Sequence, residues 1–377
     1  MDRETIQMVD LHRQYLRLKP ELDQAMQQVL DNCAFINGSP VQNFATHLAD
    51  YLKVPFVVPC GNGTDALQIA LMALKLQPGD EVILPAFTYV AAIEVVALLG
   101  LTPVLVDVDP RTFNLDVNRI EAAVSEKTKA IIVVHLFGQS CDMEPIMTLA
   151  EAYHLFVVED NAQSIGADYI FSDGHIRKTG TIGHIGTTSF FPSKPLACYG
   201  DGGALMTSDE ELATRIRMIA NHGQERKYYH KLIGCNSRLD TLQAAILEVK
   251  LNYLDRFTNA RQEVATYYDK CLESCTQVIS PAKADYSTHV YHQYTIQVEK
   301  DKRNLIQASL KELGIPTMIY YPLPLHYQEA YKGIVRISGS LEEAVRLSEE
   351  VLSLPIHTEM SKEQQRYIMN RLIEAVS

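Results

Sequence analysis

The sequence predicts an α/β fold built on a mostly parallel sheet, followed by a smaller α+β unit. Three observations predict it. Apolar strand-like runs alternate with amphipathic helical runs from about Val54 to Val158. The strand runs are almost continuous in Val, Ile and Leu, the pattern of strands buried on both faces. After Leu251 the pattern changes to a long helix and alternating segments, which marks a second, smaller unit. The expected division is 1–250 for the large domain and 251–377 for the small one.

Each element follows from local chemistry. Val54-Pro-Phe-Val-Val reads as a strand, and Thr64 to Leu76 as a helix stopped by Pro78-Gly79. Glu81-Val-Ile-Leu is the next strand, and Val90 to Leu99 the next helix, ended by Gly100. Pro103 to Val106 is a strand ending at Asp107, and Asp116 opens a further helix. Strand Ala130 to His135, helix Glu144 to Tyr153 and strand Leu155 to Val158 complete the alternation. Beyond it, Leu251 to Ser274 reads as one long helix, Val290 to Val298 alternates like a strand, and Lys302 to Leu313 reads as a helix. Ligands of such sheets bind at the C-terminal strand ends, so the residues just after each strand are where chemistry is sought.

Composition bounds the function. With 377 residues, 47% hydrophobic and 21% charged, the chain is long enough for more than one domain and balanced like a globular protein. A formal charge of −12 argues against nucleic acid as a partner, so an anionic substrate must meet a local basic cluster. Met1-Asp2-Arg3-Glu4 opens without the apolar core of a signal peptide, and no apolar run reaches membrane-spanning length. Seven scattered cysteines offer no CxxC pair and no zinc spacing, so free thiols, no metal and a reducing cytoplasm are expected.

Three motifs carry chemistry. Gly61-Asn-Gly63-Thr64-Asp-Ala66 follows a strand and opens a helix, and it fits the dinucleotide pattern GxGxx(G/A). That reading requires an acid at the end of the next strand; here the strand ends in Pro85-Ala-Phe-Thr. The anion-binding physics of a helix N-terminus remains, although an ordinary strand–helix turn would use the same glycines. Val157-Val-Glu159-Asp160 is a strand ending in two acids that alternation sends to opposite faces, so Asp160 alone is read as facing a cationic ligand group. Lys194 lies between the aromatic run Ser189-Phe-Phe-Pro-Ser and the glycine-rich turn Gly200-Asp-Gly-Gly203. A lysine so placed can form a Schiff base, and a snorkelling surface lysine is the competing explanation. Phosphate loop, acid and lysine together match what pyridoxal 5′-phosphate (PLP) demands: phosphate anchor, pyridinium partner and imine partner.

At these stretches, and at Pro85-Ala-Phe-Thr-Tyr-Val-Ala, Glu159-Asp-Asn-Ala-Gln-Ser, Asn221-His-Gly-Gln and Asn236-Ser-Arg-Leu-Asp, the sequence resembles the DegT/DnrJ/EryC1/StrS sugar aminotransferases. The resemblance implies the aspartate-aminotransferase-like fold, fold type I of PLP enzymes, over almost the whole chain. Within the family it is similar to enzymes that aminate C3 of a UDP-linked 3-keto-N-acetylglucosaminuronic acid in cell-surface polysaccharide biosynthesis. Amination of a 4-keto-6-deoxy nucleotide sugar and a non-catalytic regulatory descendant are the alternatives.

By the same resemblance, Lys194 is the Schiff-base lysine and Asp160 the partner of the ring nitrogen. Gln163 meets the phenolic oxygen, Tyr89 lies on the ring face, and Gly63, Thr64 and Ser189 hold the phosphate. Asn236 reaches in from a neighbouring subunit, which implies a homodimer with shared sites. Glutamate is the expected amino donor in a ping-pong reaction, with Lys194 as the proton shuttle. Arg238 is the candidate for the substrate anion, and Tyr320, Tyr321 and His326 resemble the sugar-contacting segment. Arg226, Lys227 and Lys231 are read as a solvated basic face. His135, at a strand end, is either a neighbour of the cofactor or a hydrogen-bonded core histidine. Two features depart from the family: a longer loop from Tyr169 to Thr181, which could alter substrate access, and His184 where many relatives carry an acid.

Overall fold

The computed structural model describes residues 5–377, so the stretch Met1 to Glu4, on which the absence of a leader was read, lies outside the described residues. Eight strands form the large sheet: β1 (Phe56–Cys60), β2 (Glu81–Pro85), β3 (Thr102–Val106), β4 (Thr128–Val134), β5 (Phe156–Asp160), β6 (Ile185–Ser189), β7 (Gly203–Thr207) and β8 (Arg336–Ile337). Their spatial order is β1-β7-β6-β5-β4-β2-β3-β8. β7 is antiparallel to both neighbours, β1 and β6, and every other pairing is parallel. The parallel strands therefore end on one edge, and that edge gathers the motifs.

Side-chain alternation assigns the two faces. Val82, Leu84, Ile132, Val134 and Val158 pack with the helices Gly63–Ala73, Ala91–Leu98 and Glu210–Ala220. Ile83, Val104, Val106, Ile131, Val133 and Val157 pack on the other face with the helix Met143–Ala152. Covering both faces is what makes the strands continuously apolar.

Several elements differ from expectation. The helix expected to begin at Asp116 is two short 3₁₀ turns, Val117–Arg119 and Glu121–Ala123. Asp116 does cap the first, accepting from Asn118 N–H at 3.1 Å. The long helix starts three residues later than expected, at Leu254, and ends at Leu272. It is preceded by a separate helix, Thr241–Leu251, which packs against Leu11–Asn32 and Ser39–Leu52 near the start of the chain.

The smaller sheet, Val278–Ile279, Tyr294–Val298 and Val351–Leu354, lies wholly beyond residue 251 and packs with Leu254–Leu272, Lys300–Glu312 and Lys362–Val376. The chain returns to the large sheet between these strands: β8 pairs with β3, and Leu325 N–H donates to Ala86 O at 3.0 Å. Buried Asp107, just after β3, receives Glu343 and Ala344 N–H at 2.9 and 2.8 Å and so caps the helix Glu342–Glu350. That return carries Tyr320, Tyr321 and His326 towards the C-terminal strand ends.

All seven cysteines are free thiols. Among the described residues no helix is long and apolar enough to cross a membrane, and no cluster of ligating side chains could hold a metal.

Candidate active site

The loop after β1 begins the site. Asn62 caps the helix Gly63–Ala73 through Asp65 N–H at 2.8 Å, which leaves the Gly63 and Thr64 N–H groups at the helix N-terminus. Ser189, the last residue of β6, closes the cradle. A Cβ on Gly63 would sit 2.6 Å from the Ser189 Cβ, so only glycine lets these two segments meet. Backbone donors, a helix dipole and the Thr64 and Ser189 hydroxyls form a ready site for a phosphate.

Asp160 ends β5 and is 7% exposed. Among the described residues, its carboxylate has one hydrogen bond, from Ala162 N–H to Oδ1 at 3.0 Å. Burial pushes its pKa up, against the opposing pull of Ala162 N–H, Lys194 and His135. A buried carboxylate with spare acceptor capacity is a fit partner for a pyridinium N–H, since a cation there would restore its ordinary charge state.

Lys194 stands in the turn after β6. Part of its surface is accessible, but its amine is densely enclosed and makes no hydrogen bond or ion pair among the described residues. Burial pulls the ammonium from 10.5 down to about 8, with Asp160 pulling the other way. An amine so poised is a fit nucleophile for an aldehyde and a fit proton carrier near neutral pH.

Gln163 is oriented from both ends. Phe137 N–H donates to its Oε1 at 2.7 Å, and its Nε2 donates to the Tyr321 hydroxyl at 3.1 Å. The Tyr321 ring lies 6.0 Å from Phe87 and 6.1 Å from Tyr89, whose own ring is half exposed. The residues that suit PLP therefore gather at the C-terminal strand ends: Gly63 meets Ser189, Asp160 and Lys194 act on each other, and Gln163 and Tyr89 both meet Tyr321.

The remaining candidates lie elsewhere. His135 pairs with Glu159, not Asp160: its Nε2 is 2.8 Å from Glu159 Oε2. Its Nδ1 accepts from Cys141 N–H at 3.0 Å, which places the proton on Nε2. Asn236 is exposed, and its side chain makes no hydrogen bond among the described residues. Arg238 sits in a shallow cavity of about 330 Å³ with Arg217, Asn37 and Asn221, away from Tyr320, Tyr321 and His326. His326 lies instead in a groove with Tyr327, Ile337 and Arg346. Arg226, Lys227 and Lys231 occupy an exposed hairpin, Lys231 pairing with Glu225 at 2.8 Å.

The loop Tyr169 to Thr181 is a small hairpin, Asp168–Ile170 with Ile176–Lys178. Tyr169 donates to Asp142 at 2.6 Å and Ser172 to Glu144 at 2.6 Å, which fastens the hairpin to the helix Met143–Ala152 on the opposite sheet face. His184 accepts Val157 N–H at 3.0 Å and packs edge-on against Phe156, so it too serves that face.

Residues 17–373 match the DegT/DnrJ/EryC1/StrS aminotransferase family. The chain belongs to that family. It is 47% identical over 352 residues to the UDP-2-acetamido-2-deoxy-3-oxo-D-glucuronate aminotransferase of Pseudomonas aeruginosa, covering 93% of this chain and 95% of that one. It is 46% identical over 371 residues to a pleiotropic regulatory protein of Geobacillus stearothermophilus, covering 98% of each. A family aminotransferase from Brucella abortus superposes with a TM-score of 0.93 at 40% identity, covering 97% of this chain and 98% of that one. NtdA of Bacillus subtilis, solved with its cofactor PMP, superposes at 0.90 with 31% identity, covering 100% and 86%. This family member is a PLP-dependent nucleotide-sugar aminotransferase with the fold type I architecture that the motifs implied.

Proposed function

We propose that the protein transfers an amino group from glutamate to C3 of UDP-linked 3-keto-N-acetylglucosaminuronic acid, with Lys194 and Asp160 as its catalytic residues. The observation that carries the chemistry is Lys194, with its depressed pKa, in the same crevice as the under-bonded Asp160 carboxylate. The sugar is supported by the 47% identity to the Pseudomonas enzyme, whose name specifies a 3-oxo-glucuronate.

When bound, PLP supplies an aldehyde and an electron-accepting ring. Lys194 Nζ would hold the aldehyde group, and its amine, with a pKa of about 8, would be suited to carry a proton near neutral pH. Asp160 would keep the ring nitrogen protonated, and Gln163 Nε2 would be the donor available to the phenolic oxygen. Gly63, Thr64 and Ser189 would hold the phosphate by N–H and O–H donors. Arg238, Tyr320, Tyr321 and His326 are assigned to the nucleotide sugar. Arg238 lies apart from the other three in one chain, and the exposed Asn236 side chain has no hydrogen bond among the described residues. Both facts support a homodimer in which these two residues serve the neighbouring subunit's crevice. A cytoplasmic setting fits the free thiols, and the amino sugar would serve a surface polysaccharide such as the O-antigen of lipopolysaccharide.

The test is a visible spectrum of the purified protein before and after glutamate, followed by mass analysis of the sugar. A yellow band that bleaches with glutamate, and a 3-amino uronate made from the UDP 3-keto substrate, is the expected result. Product only from a 4-keto-6-deoxy nucleotide sugar would replace the substrate assignment. A protein that takes up no PLP would favour the regulatory role for which the Geobacillus relative is named.

A further inference from the structure

The loop that carries Lys194 is closed on itself. Phe190 N–H donates to Gly202 O at 2.8 Å, Cys198 N–H returns to Phe190 O at 2.8 Å, and Lys194 N–H donates to Phe191 O at 2.9 Å. Pro195 to Cys198 are buried between these anchors. The next residue, Tyr199, is held from outside the loop. Gln243, on the helix Thr241–Leu251, accepts Tyr199 N–H at 2.8 Å and donates to Tyr199 O at 3.2 Å. Lys250 follows on the same face of that helix, about two turns on. Its Nζ stands 4.2 Å from the centre of the Tyr199 ring.

Lys250 is 1% exposed, yet its amine has neither a hydrogen bond nor an ion pair among the described residues. The Tyr199 hydroxyl is likewise buried without a partner. Leu18, Leu22, Ile246 and Phe257 pack around Tyr199, and Tyr15 meets it edge-on at 6.1 Å. The face of the Tyr199 ring is thus what the amine has in place of a counter-ion, a cation against the negative side of a π system. A buried cation without a counter-ion is costly, and an apolar side chain would fill the same space, so its presence calls for a use of the charge. Burial pulls the amine from 10.5 down to about 8, with Cys198 pulling the other way, so it carries a proton at neutral pH and gives it up in mild alkali. The other groups facing this pair keep their state over that range. Burial pushes the Cys198 thiol up to about 11 and the Tyr199 phenol up to about 12, while Asp23 and Lys19, beside Tyr15 on the helix Leu11–Asn32, hold each other charged.

We propose that Lys250 is a positioning residue for Lys194: its ammonium seats the Tyr199 ring, and through Tyr199 it fixes the limb of the loop from which Lys194 meets the cofactor. The inference rests on Lys194 being the cofactor lysine. Gln243 fixes the backbone of Tyr199, and Lys250 fixes its ring. Cofactor capture is therefore strongest while Lys250 holds its proton.

The test is the PLP affinity of the full-length protein stripped of cofactor, read from the visible band from neutral pH into mild alkali. Lys250→Met keeps the stem and removes the charge, and its affinity should fall about tenfold at neutral pH. The ratio of wild type to variant cancels the titration of Lys194 and of PLP, which both proteins share. That ratio should shrink towards one as Lys250 loses its proton. Tyr199→Phe keeps the ring and should bind PLP as the wild type does, since the hydroxyl it removes has no partner. Tyr199→Leu should match Lys250→Met. Wild-type affinity in Lys250→Met at neutral pH overturns the proposal, as does wild-type affinity in Tyr199→Leu. A loss in Lys250→Met that stays constant with pH also overturns it, because lost packing would then explain the loss. Should Lys250→Met fail to fold, the ratio of Tyr199→Phe to Tyr199→Leu carries the same dependence on pH. Lys194→Ala tests the cofactor assignment apart. A visible band that persists there overturns that assignment and this proposal with it; a band lost there, with a ratio flat in pH, overturns this proposal alone.

Discussion

Glu159 and Asp160 are consecutive, buried, and at the end of the same strand, yet the fold treats them in opposite ways. Glu159 points to the face of the helix Met143–Ala152 and receives four hydrogen bonds: His135 and Gly180 N–H at Oε2, both 2.8 Å, and Ile182 and Gly183 N–H at Oε1, both 2.6 Å. Burial alone would raise its pKa, but His135 and the backbone donors outweigh burial and hold it below 4.5. Asp160 points to the cofactor-side face, has one hydrogen bond, and is pushed up. One carboxylate stabilises the fold; its neighbour is kept under-bonded for a ligand. Buried charge is tolerable only when satisfied, so the unsatisfied member supports the proposed place of the active site.

The largest effects should fall on the cofactor-side face. Lys194→Ala should lose the visible band and lower turnover on the order of 10³-fold or more, with little change in melting temperature. Asp160→Asn should lower turnover by at least about 100-fold. The same change should raise the melting temperature of the cofactor-free protein. The sign follows from linkage: Asp160 has a raised folded pKa, so its penalty appears as pH rises above 3.8 and is complete above the folded value. A cofactor-free Asp160→Asn protein that melts below the wild type at pH 7 would break the comparison.

Glu159→Gln should do the reverse. It places an amide NH₂ against donors and should cost about 3 kcal/mol of stability. Glu159 has a depressed folded pKa, so its contribution is present above 4.5 and disappears as pH falls through the folded value. The wild-type advantage over Glu159→Gln, read by thermal melts from pH 7 to pH 3, should therefore shrink towards acid. Gly63→Ala should come next, weakening cofactor affinity roughly tenfold by forcing the helix N-terminus away from Ser189, measured by PLP titration.

The opposite fates of the two acids were half legible in the sequence. Alternation along Val157-Val-Glu-Asp separates them, and the motifs around Gly63, Gln163, Ser189 and Lys194 name the cofactor-side residues. Glu159's partners come from His135 and from Gly180, Ile182 and Gly183, segments that only the folded sheet brings together. Among the helices, Leu11–Asn32 carries Pro20 in its interior and buries only Leu18, Leu22 and Val29, which gives a weak apolar stripe. Asp116 did mark a helical start, but the chain after it supports only single turns: an Asp cap sets where a helix begins, not how long it runs.

Gln163 lies between the two regimes and sharpens the comparison most finely. Its Oε1 is saturated by Phe137 N–H, as Glu159 is saturated, whereas its Nε2 shares the crevice with Tyr321. Tyr321→Phe removes one neutral hydrogen bond and keeps the ring against Phe87 and Tyr89. A net loss of about 1 kcal/mol is expected for such a bond, which is a turnover decrease of roughly fivefold with the melting temperature almost unchanged. Gln163→Ala should cost more, because it also strips the acceptor from Phe137 N–H and loosens the turn Leu136–Gly138. If the two variants lose the same activity, the Phe137 anchor contributes nothing to the site, and the position of Gln163 is set by Tyr321 alone.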